Sequence, residues 1–159
     1  MHPHAQLIEQ FYTCFSQRDY AGMQACYASA IDFADPVFTL RGKRAGAMWH
    51  MLCAGGQDLE VSVSGIAADD RHGRAHWEAR YTFSASGRRV HNVIDAEFVF
   101  ENGLIVRHRD RFDFWRWSRQ ALGPAGWLLG WTPWLQSRVQ RTAHKRLERF
   151  IAGQPQYQE

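Results

Sequence analysis

Two short amphipathic helices are predicted by the hydrophobic pattern over residues 4–29. Apolar side chains recur there at spacings of three and four, the period of a helix with one buried face; they are Leu7, Ile8, Phe11, Tyr12, Phe15, Met23, Cys26 and Tyr27. The polar run at 17–20 separates the two helices, and Asp19 within it can accept hydrogen bonds from the free amides that begin the second one. The same spacing predicts a third helix over residues 44–54, which a glycine pair ends.

Apolar residues alternate with polar ones from residue 59 onward, which is the period of strands with one buried face. The predicted strands span 59–66, 76–83, 90–100 and 104–117, after an earlier extended segment at 31–40. In that segment Asp35 precedes a proline, so its backbone is held out of helical geometry. Asn102 and Gly103 supply the positive φ angles of a tight turn before the last strand. Helices followed by strands indicate an α+β domain, in which helices pack on a curved antiparallel sheet and leave a pocket for a small ligand.

The C-terminal segment, residues 118–159, follows a different pattern. Glycine and proline interrupt the chain at 123–126, three tryptophans lie within 127–134, and a helix with one basic face is predicted over 135–151. Two interpretations stay open. The segment could lie on an anionic membrane surface, because tryptophan favours the bilayer interface and arginine reaches lipid headgroups. It could instead cover the pocket or pack between two subunits, and this second interpretation is favoured because an added helix can cover the exposed face of a sheet.

Composition and charge narrow the class of protein. The 159 residues are 45% hydrophobic and 22% charged, which is typical of one globular domain. The formal net charge of +3 lies at the C-terminus, since residues 1–137 carry 14 Lys and Arg against 14 Asp and Glu, and residues 138–159 carry 5 against 2. This balance, without a basic stripe or a reading motif, argues against nucleic-acid binding. No apolar run approaches the roughly 20 residues that span a bilayer, and the first residues do not resemble a signal peptide, so a cytoplasmic protein is expected.

Acidic residues in unlike surroundings are the candidate chemistry. Asp35 is expected at the edge of the pocket as an ionised base, whereas Asp95 lies in an otherwise apolar strand, where burial favours a neutral acid that donates a hydrogen bond. On the last strand, alternation places His108, Asp110 and Phe112 on one face. A histidine with carboxylates nearby could relay protons or hold a metal, since both roles use the same atoms.

Each of these residues also has a purely structural interpretation. Asp35 could bond its own backbone in a turn, and Asp95 could satisfy buried backbone groups. Asp110 could form an ordinary salt bridge with a neighbouring arginine, and His108 could be a hydrogen-bonded core residue. No metal site and no cofactor are predicted.

Two stretches of the sequence resemble a known superfamily. The first runs from Phe11 to Phe38 and ends on Phe-Ala-Asp-Pro-Val-Phe; the second includes residues 93–100, the Asn-Gly turn and the run Arg-Asp-Arg-Phe-Asp at 109–113. Both resemble the nuclear transport factor 2-like superfamily, which includes ketosteroid isomerases, SnoaL-like polyketide cyclases and limonene epoxide hydrolase. The resemblance covers about residues 4–117. It implies a cone of three N-terminal helices on a curved antiparallel sheet, to which residues 118–159 add a helical extension of the same domain.

The resemblance also implies roles for individual residues. Asp35 falls where ketosteroid isomerase places its general base, and Asp95 falls where that enzyme keeps a protonated acid. The hydrogen-bonding tyrosine of that enzyme falls on Phe11, with Tyr12 one residue away and about 100° around the helix. Asp110 matches the aspartate that activates water or donates a proton in limonene epoxide hydrolase, and it is the nearest match to the acid/base residue of SnoaL-like cyclases.

The reaction itself stays open. The Arg-x-Asp pair of limonene epoxide hydrolase falls near Trp77 and Ala79, which cannot replace it. One hypothesis is cofactor-independent acid/base catalysis, of the isomerase, cyclase or epoxide hydrolase type, on a small apolar carbonyl or epoxide compound; the other is a ligand-binding or protein-interaction module without catalysis. A homodimer is expected. The predicted binding residues are Phe11, Tyr12, Trp49, Trp77, Tyr81 and Phe112.

Overall fold

The computed structural model describes residues 1–158. Three helices and two strands come first, and they are α1 (Pro3–Ser16), α2 (Tyr20–Ala25), β1 (Tyr27–Ala34), β2 (Thr39–Arg41) and α3 (Lys43–Gly55). Four long strands follow, and they are β3 (Glu60–Ala68), β4 (His72–Phe83), β5 (Arg88–Glu101) and β6 (Leu104–Arg111). The chain ends in α4 (Phe114–Leu122), α5 (Pro124–Leu129), α6 (Pro133–Ala152) and a short 3-10 turn (Pro155–Tyr157).

The six strands form one curved sheet in the order β2-β1-β6-β5-β4-β3. The α+β class and the helices on a curved sheet are confirmed. The sheet was predicted to be antiparallel, but it is mixed. Strand β1 runs parallel to β6, with Ala34 paired with Arg109, while the other neighbours are antiparallel. The apolar pattern of a strand carries no information on the direction of its partner. The parallel pair therefore appears only when the chain is folded.

Local signals place most element boundaries correctly. Asp19 caps α2 by accepting a 2.9 Å hydrogen bond from the Gly22 amide, and Asn102 and Gly103 have φ angles of 53° and 77° in the predicted turn. Several boundaries differ from the prediction, two of them next to β1 and α4. The second helix ends before residue 27, where β1 begins, and the last strand ends at residue 111 because Asp113 caps α4 instead of extending the strand.

The core has two parts, which meet near the C-terminal ends of β4 and β6. The larger part lies between the sheet and helices α1 and α3 and contains Ile8, Phe11, Tyr12, Phe15, Phe33, Met48, Trp49, Ile94 and Phe98, among others. The smaller part lies under α4 and contains Val90, Phe114, Trp117 and Ala121. Three partly buried residues pack against both parts, and they are Val37, Tyr81 and Phe112.

Helix α6 packs across α3 and reaches the loop between β1 and β2. Leu147 is fully buried, and Arg44 of α3 forms an ion pair with Glu148. Closer to the start of α6, the side-chain amides of Gln136 and Gln140 each donate a 3.0 Å hydrogen bond to the carbonyl oxygen of Pro36. The extension is thus attached to the residue that follows Asp35. Within residues 1–158, every helix is too short or too polar to cross a membrane.

Candidate functional site

A histidine and an aspartate lie side by side in the interior. Strand alternation on β6 points His108 and Asp110 inward, and both are buried. The Nε2 atom of His108 is 2.9 Å from Oδ1 of Asp110, and the same oxygen accepts a 3.3 Å hydrogen bond from the indole of Trp77. The inward orientation that alternation predicts for His108 and Asp110 is therefore confirmed.

One arrangement of protons satisfies all the hydrogen bonds around His108. Trp49 can only donate, and its indole N–H lies 2.9 Å from the hydroxyl oxygen of Tyr27. The Tyr27 proton is then free to point at Nδ1 of His108, which is 2.7 Å away. With Nδ1 accepting, Nε2 carries the proton that is donated to Asp110. The chain of donors therefore runs from Trp49 through Tyr27 and His108 to Asp110.

Asp35 comes next to Asp110 because β1 and β6 are parallel. Because Ala34, the last residue of β1, pairs with Arg109 of β6, the next residues along the two segments are Asp35 and Asp110. Oδ1 of Asp35 accepts hydrogen bonds of 2.7 Å from the amides of Val37 and Phe38, which is the turn interpretation of this residue. Oδ2 makes no hydrogen bond in the part of the chain that the structure describes.

Asp35 titrates close to neutral pH. Burial raises its pKa from 3.8 to about 6, and the charge of Asp110 adds to the rise, although the two backbone amides and His108 oppose it. A carboxyl group with this pKa is mostly ionised at pH 7 and still exchanges protons readily. Asp35 can therefore hold the turn through Oδ1 and still transfer a proton through Oδ2.

The hydroxyl of Tyr12 has no partner. It is the one buried side-chain polar atom without a hydrogen bond among residues 1–158. Burial, followed by the charge of Asp110, holds the pKa of Tyr12 well above its usual value, so the hydroxyl keeps its proton. An unpaired buried hydroxyl is costly, and a bound ligand could accept its hydrogen bond. Phe11, by contrast, stacks on Tyr27 and meets His108 edge-on, so it has a packing role.

Two tyrosine variants test whether the Tyr12 hydroxyl is free. Tyr12→Phe should leave the free energy of unfolding unchanged or raise it by about 1 kcal/mol, because no hydrogen bond is lost. Tyr27→Phe is the matched control and should lower it by about 1–3 kcal/mol, because Trp49 and His108 both lose a partner. Urea unfolding measures both values. Equal losses in the two variants would show that the Tyr12 hydroxyl is bonded.

The domain match decides the family. Residues 8–108 match the SnoaL-like domain, which is well over half of the chain. The chain belongs to the SnoaL-like domain family. The match ends at His108, so the SnoaL-like domain includes Asp35 and stops two residues before Asp110.

Solved structures agree with this assignment. The SnoaL-like protein superposes with a TM-score of 0.67 on a candidate SnoaL-like polyketide cyclase from Jannaschia sp. CCS1, at 13% identity over 77% of this chain and 93% of that one. It also resembles an NTF2-like protein of unknown function from Burkholderia pseudomallei, with a TM-score of 0.64 and 19% identity over 76% and 98% of the two chains. An LEH-like epoxide hydrolase from Mycobacterium tuberculosis superposes with a TM-score of 0.62 and 18% identity, over 80% of this chain and 96% of that one. At these identities the likeness shows the nuclear transport factor 2-like fold. The search of curated proteins found no match.

The predicted burial of Asp95 is wrong in this SnoaL-like domain. Its side chain is 78% exposed on the outer face of β5, where it lies 3.0 Å from Nδ1 of His76. The apolar neighbours Ile94 and Ala96 are buried. In a strand, however, the residues on either side of a position point to the opposite face, so apolar neighbours indicate exposure of Asp95.

The predicted binding residues divide into two groups. Phe11, Tyr12, Trp49 and Trp77 contact one another and fill the interior, with ring centroids 5.2–6.3 Å apart. The indoles of Trp49 and Trp77 are hydrogen-bond donors to Tyr27 and Asp110, and not the apolar wall that the sequence predicts. Tyr81 and Phe112 are only partly buried and lie where the two parts of the core meet.

Tyr81 forms a second polar contact on the Asp35 side of the interior. Its hydroxyl accepts a 2.8 Å hydrogen bond from the indole of Trp117. Burial raises the pKa of Tyr81, and the charge of Asp35 contributes to the rise. The sequence alone does not indicate Tyr27, which is counted there as an apolar helix residue, or Trp117, which ends the predicted strand 104–117.

Two cavities lie at the surface of the SnoaL-like protein. One cavity, of about 510 Å³, lies between the loop after Asp35 and α6. It is lined by Val37, Thr39, Ser137, Gln140, Arg141, His144 and Lys145. The other, of about 570 Å³, is lined by Arg88, Arg89, Arg116, Arg119, Gln120 and Trp127. Over residues 1–158, no three His, Cys, Asp or Glu side chains come together as a metal site would require.

Proposed function

We propose that the protein is an acid/base catalyst for a small apolar molecule that carries a carbonyl or epoxide group. The observation that carries the proposal is Asp35, a carboxyl group with a pKa of about 6 next to the second carboxyl group of Asp110. Titratable groups with shifted pKa values cluster at functional sites. The SnoaL-like fold supports the proposal because it is shared with a protein named as an epoxide hydrolase.

Asp35 is the proton carrier in this proposal. Its Oδ2 atom would accept a proton from the substrate, while Oδ1 stays bonded to the two backbone amides that hold the side chain in place. In an isomerisation the same proton returns to another atom of the substrate, so no further reactant is consumed. Epoxide opening would instead require a water molecule that a carboxylate activates.

Asp110 has a supporting role. Burial is the main cause of the raised pKa of Asp35, and the charge of Asp110, which His108 and Trp77 hold in one orientation, adds to it. The hydroxyl of Tyr12 is buried under α1, away from the position proposed for the substrate, so it takes no part in the proposed reaction.

The substrate would enter between the loop after Asp35 and α6. A surface cavity of about 510 Å³ lies there, and two glutamine side chains join α6 to the Pro36 carbonyl. Because aromatic side chains fill the interior, the reactive end of a substrate would lie near Tyr81 and Phe112 and not deep under α1.

Turnover assays with Asp35→Asn test the catalytic proposal. Cyclic enones, β-keto esters and terpenoid epoxides are first screened by thermal shift, and the compounds that bind are assayed for conversion. We expect Asp35→Asn to keep binding and to lose about 10²- to 10⁴-fold in kcat. The kcat/KM of the unmodified protein should rise with pH through about 6, as the Asp35 base ionises.

Asp95→Asn is the matched control, since Asp95 lies on the outer face of the sheet and should not affect turnover. Equal conversion by Asp35→Asn and the unmodified protein would contradict the proposal. A ligand that binds all three proteins without conversion would favour the second candidate, a ligand-binding or interaction module. The packed aromatic interior is the observation that favours that candidate.

A further inference from the structure

Large apolar side chains are concentrated at the turn between α5 and α6. Five of them are exposed within residues 127–134, and we call this group the aromatic corner: Trp127 (57% exposed), Leu128 (72%), Leu129 (40%), Trp131 (70%) and Trp134 (56%). Trp115 extends the corner, since its ring centroid is 5.9 Å from that of Trp127. Elsewhere among residues 1–158, the only large apolar side chains with comparable exposure are Met1 and Leu52. An exposed apolar cluster of this kind marks an interaction surface.

Arginine side chains lie against the aromatic corner, within a segment that carries only positive charge. Residues 114–147 contain six Lys and Arg residues and no Asp or Glu. The guanidinium of Arg119 lies 4.3 Å from the ring centroid of Trp115 and 4.7 Å from that of Trp127, and Arg138 lies 5.7 Å from that of Trp134. The apolar and the cationic groups are therefore parts of one surface.

The cavity of about 570 Å³ adjoins the corner and has an arginine lining. Four arginines line it together with Trp127, which also belongs to the corner. In the part of the chain that the structure describes, Arg89 forms an ion pair with Asp58, whereas Arg88, Arg116 and Arg119 have no carboxylate partner. A concave site with three guanidinium groups free of carboxylates is suited to phosphate groups, which arginine binds through paired hydrogen bonds.

We propose that the aromatic corner and the arginine-lined cavity together dock onto an anionic phospholipid bilayer. The tryptophans would lie at the level of the headgroups, the leucines would enter the apolar region, and the cavity would receive lipid phosphates. A second copy of this chain fits less well, because it would bring the same cations against these cations. Single-stranded nucleic acid also binds arginine and aromatic groups, but the aliphatic Leu128 and Leu129 favour lipid.

Vesicle sedimentation with the full chain tests the proposal. We expect binding to vesicles of phosphatidylcholine and phosphatidylglycerol at a ratio of about 7 to 3, weaker binding at higher salt, and little binding to phosphatidylcholine alone. Arg116→Gln and Arg119→Gln should each weaken binding about fivefold, which corresponds to about 1 kcal/mol. The double variant Leu128→Ser with Trp131→Ser should weaken it about tenfold or more.

Exposed residues outside this surface provide the matched controls. Arg107→Gln removes a charge from β6, and Leu52→Ser removes an exposed apolar side chain from α3, so neither should change vesicle binding. Circular dichroism checks that each variant is folded. Brominated lipids should quench the tryptophan fluorescence of the unmodified protein, and the quenching should fall in Trp131→Ser.

Four results would overturn the proposal. The first is equal binding to neutral and anionic vesicles, and the second is no vesicle binding at all. The third is binding of a single-stranded oligonucleotide, or of glycerophosphoglycerol as a free headgroup, without binding of vesicles. The fourth is a dimer in light scattering that the Leu128→Ser and Trp131→Ser variant dissociates, together with no vesicle binding.

Discussion

Asparagine in place of Asp35 should raise the free energy of unfolding at pH 8 by up to about 3 kcal/mol. The folded protein holds the pKa of Asp35 at about 6, above the usual 3.8, so ionisation of this carboxyl group opposes folding. Each pKa unit corresponds to about 1.4 kcal/mol. The amide oxygen of asparagine can still accept the two backbone hydrogen bonds that Oδ1 accepts now.

The pH dependence of this effect has a definite sign. A group whose pKa is raised by folding stabilises the folded state below its unfolded pKa, and this contribution is lost as pH rises through the folded pKa. The stabilisation by Asp35→Asn should therefore be near zero below pH 4, grow between pH 4 and 6, and level off above pH 6. Urea unfolding from pH 4 to 8 measures it. A pH-independent difference, or a loss of stability at pH 8, would rule out a raised pKa.

Removing the Asp110 side chain should have the opposite effect. Asp110→Ala is expected to lower the free energy of unfolding by about 2–5 kcal/mol, because the N–H groups of His108 and Trp77 would lose their acceptor in the interior. The substitution also leaves a small cavity between packed aromatic rings. Thermal and urea unfolding at pH 7 both measure the loss.

Asp110→Asn separates the hydrogen bonds from the charge. The asparagine oxygen can accept from both donors, so the loss should be no more than about 1–2 kcal/mol. Asp113→Ala is a second control near the end of the same strand; it removes only the cap of α4 and should cost about 1 kcal/mol. If the alanine and asparagine variants at position 110 lose the same stability, the accepted hydrogen bonds are not what holds Asp110 in place.

The sequence predicts the features of the site that depend on local pattern. The α+β class, the three N-terminal helices, and the inward face of His108 and Asp110 all follow from hydrophobic periods of 3.6 and 2. The cap by Asp19 and the Asn-Gly turn follow from the side chains that these backbone positions require. These predictions hold because neighbouring residues in the chain are enough to determine them.

The contacts between distant segments could not be predicted. Asp35 and Asp110 become neighbours only through the parallel pairing of β1 with β6. Tyr27 has helical spacing to the apolar residues before it, and its hydrogen bonds to Trp49 and His108 come from other elements. The predicted burial of Asp95 failed for another reason. In a strand, a residue between two buried apolar residues points to the opposite, exposed face, and the prediction did not apply this alternation.

Helix α6 connects the aromatic corner with the loop that follows Asp35. Trp134, in its first turn, belongs to the aromatic corner, and Gln136 and Gln140 hold the Pro36 carbonyl within about 9 Å along the helix axis. The proposed bilayer contact and the proposed substrate entrance would therefore share one helix, which lies outside the SnoaL-like match.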